Sequence, residues 1–511
     1  MFSAAGPSRR VRARRSGSPS LTRLATGLAL VLSVLLVACS STPSITIPTQ
    51  SAPPVPTPVT AAPAASPISA ARASAPTSPP ATRPAPPTVS PAPAAAAPVL
   101  VPSASPAASP AAKPSAEGGV VVPPTPVVAA ASQLIGPIKI VSSLPRNGNA
   151  KPQTDSIVTA IKMALDELGS KVDGASLVYE DLDDSSTARN AWDEEKEAEN
   201  ANRAVNDPDV MLYIGPYNSG AARISIPILN QADLAMISPS STYAGLTKPG
   251  KGLPNEPDAY YPSGKRNYAR VIPADDLQGA AGAAWAKQLG ASKVYVLHDG
   301  QPYGSAVAGL FAEAARKIGL EIIGGPEIVD PRARDLTGIA AKVRDAGPDL
   351  VYYGGLTDNN AGELFKNLRA AVGGNVKLMG PDDLYRQGFL DDAGPAAEGA
   401  YLTFGAVPPS KLSGKGAEWY RSYKVRYNAE PDVYAAYGYE AMRVAVDAIR
   451  RAGKKDRGAI REALLATKNY EGILGTWSFD ANGDTTSTTV SGREVKNGKF
   501  DDANAVTLQA P

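Results

Sequence analysis

The sequence predicts an α/β protein of two Rossmann-like lobes with parallel sheets, joined by a hinge of several strands. Three observations carry that expectation. Short apolar runs alternate with helix-period segments from residue 137 onward, as in a parallel sheet covered on both faces. The alternation breaks over residues 246–270, rich in Lys, Pro, Gly and Tyr, and restarts at Lys293. Two of the early strands end in turns of small residues, at the strand ends where open α/β sheets bind ligands.

In chain order, Ile138 to Val141 is the first strand. Thr154 to Leu168 follows as a helix, with Ile157, Ile161, Leu165 and Leu168 spaced by three and four and Gly169 as its stop. Ser176 to Tyr179 is a strand running into the acidic turn Glu180 to Asp184, expected to be a solvated strand end rather than a metal site. Ala188 to Val205 is expected to be a charged surface helix. Val210 to Ile214 is a buried strand closed by Gly215-Pro216. Asn218-Ser219-Gly220 then opens a helix carrying Ile224, Ile226, Ile228 and Leu229. Leu234 to Ile237 is the next strand, closed by Ser238-Pro239-Ser240-Ser241-Thr242.

The second run holds strands at Lys293 to His298, Glu321 to Ile323, Leu350 to Tyr353 and Lys377 to Met379. Its helices fall near 276–289, 304–319, 335–346 and 361–371. The last third has helices near 415–427, 432–452 and 456–468, then Trp477 to Asp480 and a polar hairpin. Segments returning from one lobe complete the other. Lobe 1 is expected to take residues 136–272 and about 404–475, and lobe 2 residues 273–403 and about 476–511.

Composition bounds the function. Nine of the 51 basic residues and one of the 49 acidic ones precede residue 136, which leaves 42 against 48 in the rest of the chain. A mildly acidic body gives no nucleic-acid footprint. Cys39 is the one cysteine, so an internal disulfide is excluded. It follows a basic segment (Arg9, Arg10, Arg12, Arg14, Arg15) and the 15-residue apolar core Leu24 to Ala38. That core is short of the ~20 residues a spanning helix needs, so residues 1–38 read as a signal peptide. Leu36-Val37-Ala38-Cys39 resembles the lipobox of bacterial lipoproteins, which implies a lipid anchor on Cys39. Residues 40–135 are mostly Pro, Ala, Ser, Thr and Val, with Arg72, Arg83, Lys113 and Glu117 as the only charges. Such a segment buries no core, and residues 39–135 are read as a lipidated cysteine followed by a disordered tether.

Enzyme chemistry has little support. His298 is the only histidine, beside Asp299 at a strand end, and GxSxG, GxGxxG and GxxxxGK[ST] are all missing. Asp480, Asn482 and Asp484 imitate the start of a calcium loop, but Thr485 replaces its glycine and Ser491 its twelfth-position Glu. A hairpin turn explains them better. No cofactor and no metal are expected.

The turn at Asn218-Ser219-Gly220 opens a helix, whose free N–H groups and dipole favour an anion, so a carboxylate cradle is expected there. The wider pattern agrees. IGPYNSGAA (214–222), MISPSST (236–242), VLHDGQPYG (296–304), VYYGG (351–355), LMGPDDL (378–384) and AEGAYLT (397–403) occur in order. Over about 137–490 the chain resembles the branched-chain amino-acid (Leu/Ile/Val-type) substrate-binding proteins of ABC transporters, of the type I periplasmic-binding fold. The resemblance implies that Ser219 holds the ligand carboxylate, that Ser240 offers backbone groups, and that Thr242 binds both ends of the ligand backbone. It implies that Tyr303 comes over the ligand from the second lobe and that Asp382, usually Glu in the family, pairs with the α-ammonium. Leu356 stands where the family often has a stacking aromatic, and Tyr217, Tyr243 or Tyr385 could compensate. The expected partners are an amino acid and a membrane permease, bound by a monomer on the extracytoplasmic face of a bacterial membrane. An amide, urea or aromatic-acid ligand is the alternative, as is a sensing or cell-wall role without transport.

Overall fold

The structure is a computed structural model that describes residues 134–510. The expected signal peptide, Cys39 and the tether lie outside the described residues, apart from the last two residues of the tether range. Among the described residues, no helix is long and apolar enough to cross a membrane.

Two mostly parallel sheets form the frame. The first has six strands in the order Lys171–Val172, Ala175–Asp183, Ile138–Leu144, Val210–Ile214, Ala235–Ser238 and Tyr268–Arg270. All of its pairings are parallel except that of the short first strand. The second sheet runs Glu321–Ile328, Lys293–His298, Leu350–Gly354, Lys377–Gly380, Tyr401–Phe404, Val490–Lys496 and Lys499–Phe500. Its first four pairings are parallel, and the C-terminal strands add antiparallel edges. Strands Val210–Ile214 and Leu350–Gly354 are buried at every residue, which is why they read as continuous apolar runs rather than alternations.

The C-terminal helices return to the first sheet. Helix Ala435–Ala452 lies along helix Lys151–Glu167, and helix Arg457–Leu465 packs on strands Val210–Ile214 and Ala235–Ser238. Gly438 makes the first approach possible, since a Cβ there would lie 2.8 Å from Cγ2 of Ile157. Helix Asp275–Gln288 belongs to the other side, against helix Pro302–Lys317 and strands Tyr401–Phe404 and Val490–Lys496. The chain therefore passes between the sheets three times, at residues 271–274, 405–414 and 478–489. Arg270 bridges to Asp484 in parallel fashion at these crossings.

Local chemistry moved some boundaries. The helix expected from Ala188 starts instead at Glu194, because Asp193 has extended backbone and its carboxylate accepts the N–H groups of Glu195 (3.0 Å) and Lys196 (3.4 Å). The six preceding residues belong to a small hairpin pairing Ser185–Ser186 with Ala191–Trp192. The strand expected to stop at Ile323 continues to Ile328, with register shifts around Gly324 as Gly325-Pro326 passes along the sheet edge. The acidic turn is also corrected: Asp184 is fully buried rather than solvated.

Candidate functional site

The turns after strands Val210–Ile214, Ala235–Ser238, Lys293–His298, Leu350–Gly354 and Lys377–Gly380 converge on one cavity. On the first-lobe side, Gly215 takes a φ of +122°, and a Cβ there would come within 2.6 Å of the Ser143 carbonyl oxygen. Only glycine lets the chain turn so close to the neighbouring strand. Helix Ser219–Gln231 begins three residues after the turn, with no acidic side chain in its first turn to occupy its free N–H groups. The Ser219 hydroxyl accepts from the N–H of Tyr243 at 3.2 Å, which leaves its own proton to donate. Ser240 donates to the Tyr217 carbonyl at 3.1 Å, and Ser241 and Ser238 donate to the Pro216 carbonyl at 3.0 and 2.9 Å. These hydroxyls tie the two turns together. Thr242 is buried, and its carbonyl accepts from the N–H of Asp275 at 2.9 Å.

Arg270 stabilises this face from below. Its guanidinium is fully buried, donates to the carbonyls of Ser241 (3.1 Å) and Tyr243 (2.9 Å), and pairs with Asp484 at 2.6 Å. The nearby Arg270 holds the Asp484 carboxyl below its usual range against the opposing effect of burial. The Asp480–Asp484 stretch is thus a turn supporting the hinge, and no cluster of potential metal ligands occurs among the described residues.

The second-lobe side centres on Asp382, in the turn after strand Lys377–Gly380. One oxygen accepts from the Tyr303 hydroxyl at 2.6 Å and from the Gln278 amide at 2.9 Å. The other accepts from the Tyr434 hydroxyl. Three neutral donors hold this carboxylate in place, but none neutralises it. Behind it, buried Arg386 pairs with Asp383 and with Asp358 (3.0 Å) and lies over the Tyr217 ring. Leu356 packs with Tyr303 and Val307, and its N–H donates to Asp299 at 2.9 Å. His298 sits nearby as a neutral group: burial lowers its pKa, and its Nδ1 accepts the N–H of Gly300 at 3.1 Å.

Asp275 is the unusual group at the floor. Both of its carboxylate oxygens are buried without a hydrogen-bond partner among the described residues. Burial first, and Asp382 second, push its pKa well up.

The structure brings Ser219, Ser240, Thr242, Tyr303, Asp382, Tyr217 and Leu356 to one cavity. Tyr243 and Tyr385 do not reach it. The Tyr243 hydroxyl turns away to Glu256, and the Tyr385 hydroxyl donates to Asp502 at 2.5 Å while Arg493 covers its ring. Sequence reasoning missed Tyr434, Gln278 and Trp192. Tyr434 immediately precedes helix Ala435–Ala452 on the first-lobe side yet bonds to Asp382 across the cleft. Only the pairing of distant segments reveals it. Gln153 likewise donates across the cleft to the Tyr385 carbonyl at 2.8 Å, so the two lobes meet in this structure.

A two-lobed α/β frame closing on a donor-rich wall and a buried carboxylate defines a solute-binding protein. Residues 137–499 match the periplasmic binding protein family, and the chain belongs to it. It is 30% identical over 289 residues to a Leu/Ile/Val-binding protein homologue of Brucella abortus, covering 56% of this chain and 71% of that one. It is 26% identical over 363 residues to a leucine-, isoleucine-, valine-, threonine- and alanine-binding protein of Pseudomonas aeruginosa, covering 70% and 89%. A crystal structure of a leucine-binding protein, LivK, from Thermotoga maritima superposes with a TM-score of 0.63 at 26% identity, covering 73% of this chain and 99% of that one. The fold is the type I periplasmic-binding fold.

Proposed function

We propose that this protein captures a free amino acid with an apolar side chain between its lobes and presents it to an ABC importer. The observation that carries the reading is the opposition, within one cavity, of a helix N-terminus with hydroxyl donors and a buried, un-neutralised carboxylate. A zwitterion satisfies both. Its carboxylate takes the free N–H groups of the first helical turn, the Ser219 hydroxyl and Thr242, and its ammonium pairs with Asp382. Tyr303 covers the ligand while orienting Asp382.

The ligand first rests on lobe 1, and closure about the crossings at residues 271–274, 405–414 and 478–489 brings Tyr303 and Asp382 onto it. Lobe 1 then comprises residues 136–272 and about 404–475, and lobe 2 residues 273–403 and about 476–511. The names of the similar proteins, a Leu/Ile/Val-binding protein homologue, a leucine-, isoleucine-, valine-, threonine- and alanine-binding protein and a leucine-binding protein, support an amino acid of this class. In this reading the protein is extracytoplasmic, anchored by lipid on Cys39, acts as a monomer and performs no catalysis.

Titration calorimetry of the purified protein against the common L-amino acids tests the proposal. Binding of leucine, isoleucine or valine is expected. If no zwitterionic amino acid binds, the assignment fails. Metabolic labelling with a fatty acid should be lost in Cys39→Ala, and label that persists would refute the anchor.

A further inference from the structure

Leu356 leaves the second lobe without an aromatic wall at that position, yet the cavity has a large aromatic group elsewhere. Trp192 lines it from the first lobe, in the short hairpin just before helix Glu194–Asn206. Its position is built. Ser185 pairs with Trp192 across the hairpin, the N–H of Asp193 donates to the Asp184 carbonyl at 2.7 Å, and Ser186 donates to the Asp193 carboxylate at 2.8 Å. The indole lies directly on the first turn of helix Ser219–Gln231, because a Cβ at Gly220 would be 2.6 Å from Cζ2 and 2.7 Å from Cη2 of the ring. Glycine at 220 is what admits the indole to the cavity.

The other aromatic residues of the lining are committed elsewhere. The Tyr217 hydroxyl donates to Gln153, and those of Tyr303 and Tyr434 donate to Asp382. Trp192 makes no side-chain hydrogen bond and has no stacked or edge-on aromatic partner among the described residues, and it is only partly buried. A partly exposed indole at a cavity rim gains by being covered. Leu356 and Pro302 are the aliphatic residues of the same lining. With the carboxylate at Ser219 and the ammonium at Asp382, Trp192, Leu356 and Pro302 are the apolar part of the lining left for a ligand side chain.

We propose that Trp192 is a specificity-determining residue: its indole is the wall against which the apolar side chain of the bound amino acid packs, together with Leu356 and Pro302. The inference rests on the amino-acid reading above and deepens it. This apolar lining selects amino acids with branched or aromatic side chains over glycine and alanine, because only the larger ones cover the indole.

Two measurements on the full chain test it. In calorimetry, Trp192→Ala should weaken leucine, isoleucine and phenylalanine about tenfold while changing alanine by less than about twofold, the scale expected for burying one aromatic contact. Gly220→Ala, which displaces the indole without removing it, should reproduce the same dependence on ligand size. Loss that is equal for all ligands, or no loss for any, overturns the proposal. The second readout is fluorescence. Of the four tryptophans, Trp285, Trp419 and Trp477 are only 7%, 4% and 3% exposed, so a ligand-induced emission change should originate at Trp192. That change should vanish in Trp192→Phe, and its persistence at full amplitude would refute the assignment. If the unmodified protein binds no amino acid at all, the amino-acid reading itself falls. If it binds but Trp192→Ala is indifferent to ligand size, only this inference falls.

Discussion

The two faces of the cleft are built by different means. The first-lobe face spreads its work over many weak donors: helix N–H groups, the Ser219 hydroxyl and the 240–242 turn, all tied to backbone. The second-lobe face concentrates its work in one carboxylate, Asp382, oriented by Tyr303, Gln278 and Tyr434. The rear of each face differs as well. Behind the second, Asp383 and Asp358 share the Arg386 cation. Behind the first, buried Glu197 accepts from Ser143 (2.5 Å) and Tyr213 (3.1 Å), and neighbouring Asp184 has two unpartnered oxygens. A distributed face tolerates single losses, whereas a concentrated one does not.

The largest expected effect therefore falls on the concentrated side. Asp382→Asn removes the ammonium's counter-charge and should weaken amino-acid binding by about 4 kcal/mol, roughly a thousandfold. Unchanged affinity in calorimetry would show that the ammonium is held elsewhere. Arg270→Leu probes the scaffold beneath the other face. It leaves Asp484 buried without its cation and frees the carbonyls of residues 241 and 243, so urea unfolding should show a loss of about 3 kcal/mol. A loss under about 1 kcal/mol would mean that the hinge pair is not structural.

The acids behind both faces are raised by burial, Glu197 behind the first and Asp383 behind the second, each to about 7. Burial raises the Glu197 pKa from 4.5 to about 7, against the hydrogen bonds from Ser143, Ser225 and Tyr213 that pull it down. The folded state then binds a proton that the unfolded state has released, so stability falls as pH rises from about 4.5 to about 7. Glu197→Gln should remove roughly 3 kcal/mol of that fall, read as a flatter dependence of the urea midpoint on pH. An unaltered slope would place the titration at other groups. The smallest effect tests the distributed face directly. Ser219→Ala should cost about 1 kcal/mol in binding, because the helix N–H groups remain. A loss as large as that of Asp382→Asn would erase the contrast between the faces.

The sequence carried the first face almost completely. Strand, glycine turn and helix start lie within Val210–Gln231, and the hydroxyl turn follows Ser238, so local propensity and spacing were enough to place Ser219, Ser240 and Thr242. Tyr303 and Asp382 were named through the resemblance, but their hydrogen bond spans 79 positions and has no local trace. The helix boundary misread at Ala188 had a consequence, since it hid Trp192 inside a surface helix. Asp193 is a recognisable cap, but choosing it over upstream candidates required the hairpin at 185–192.

What the sequence by itself determined is the α/β alternation and the two small-residue turns after Val210–Ile214 and Ala235–Ser238, because each depends on neighbours within one or two elements. The tertiary structure alone decided the partners of Asp382, the burial of Asp184 and Asp275, and the delivery of Trp192 to the cavity. The Asp382–Tyr434 bond joins segments on either side of a crossing between the sheets, and the hairpin at 185–192 places Asp184 and Trp192, so these contacts are set by distance in space rather than along the chain.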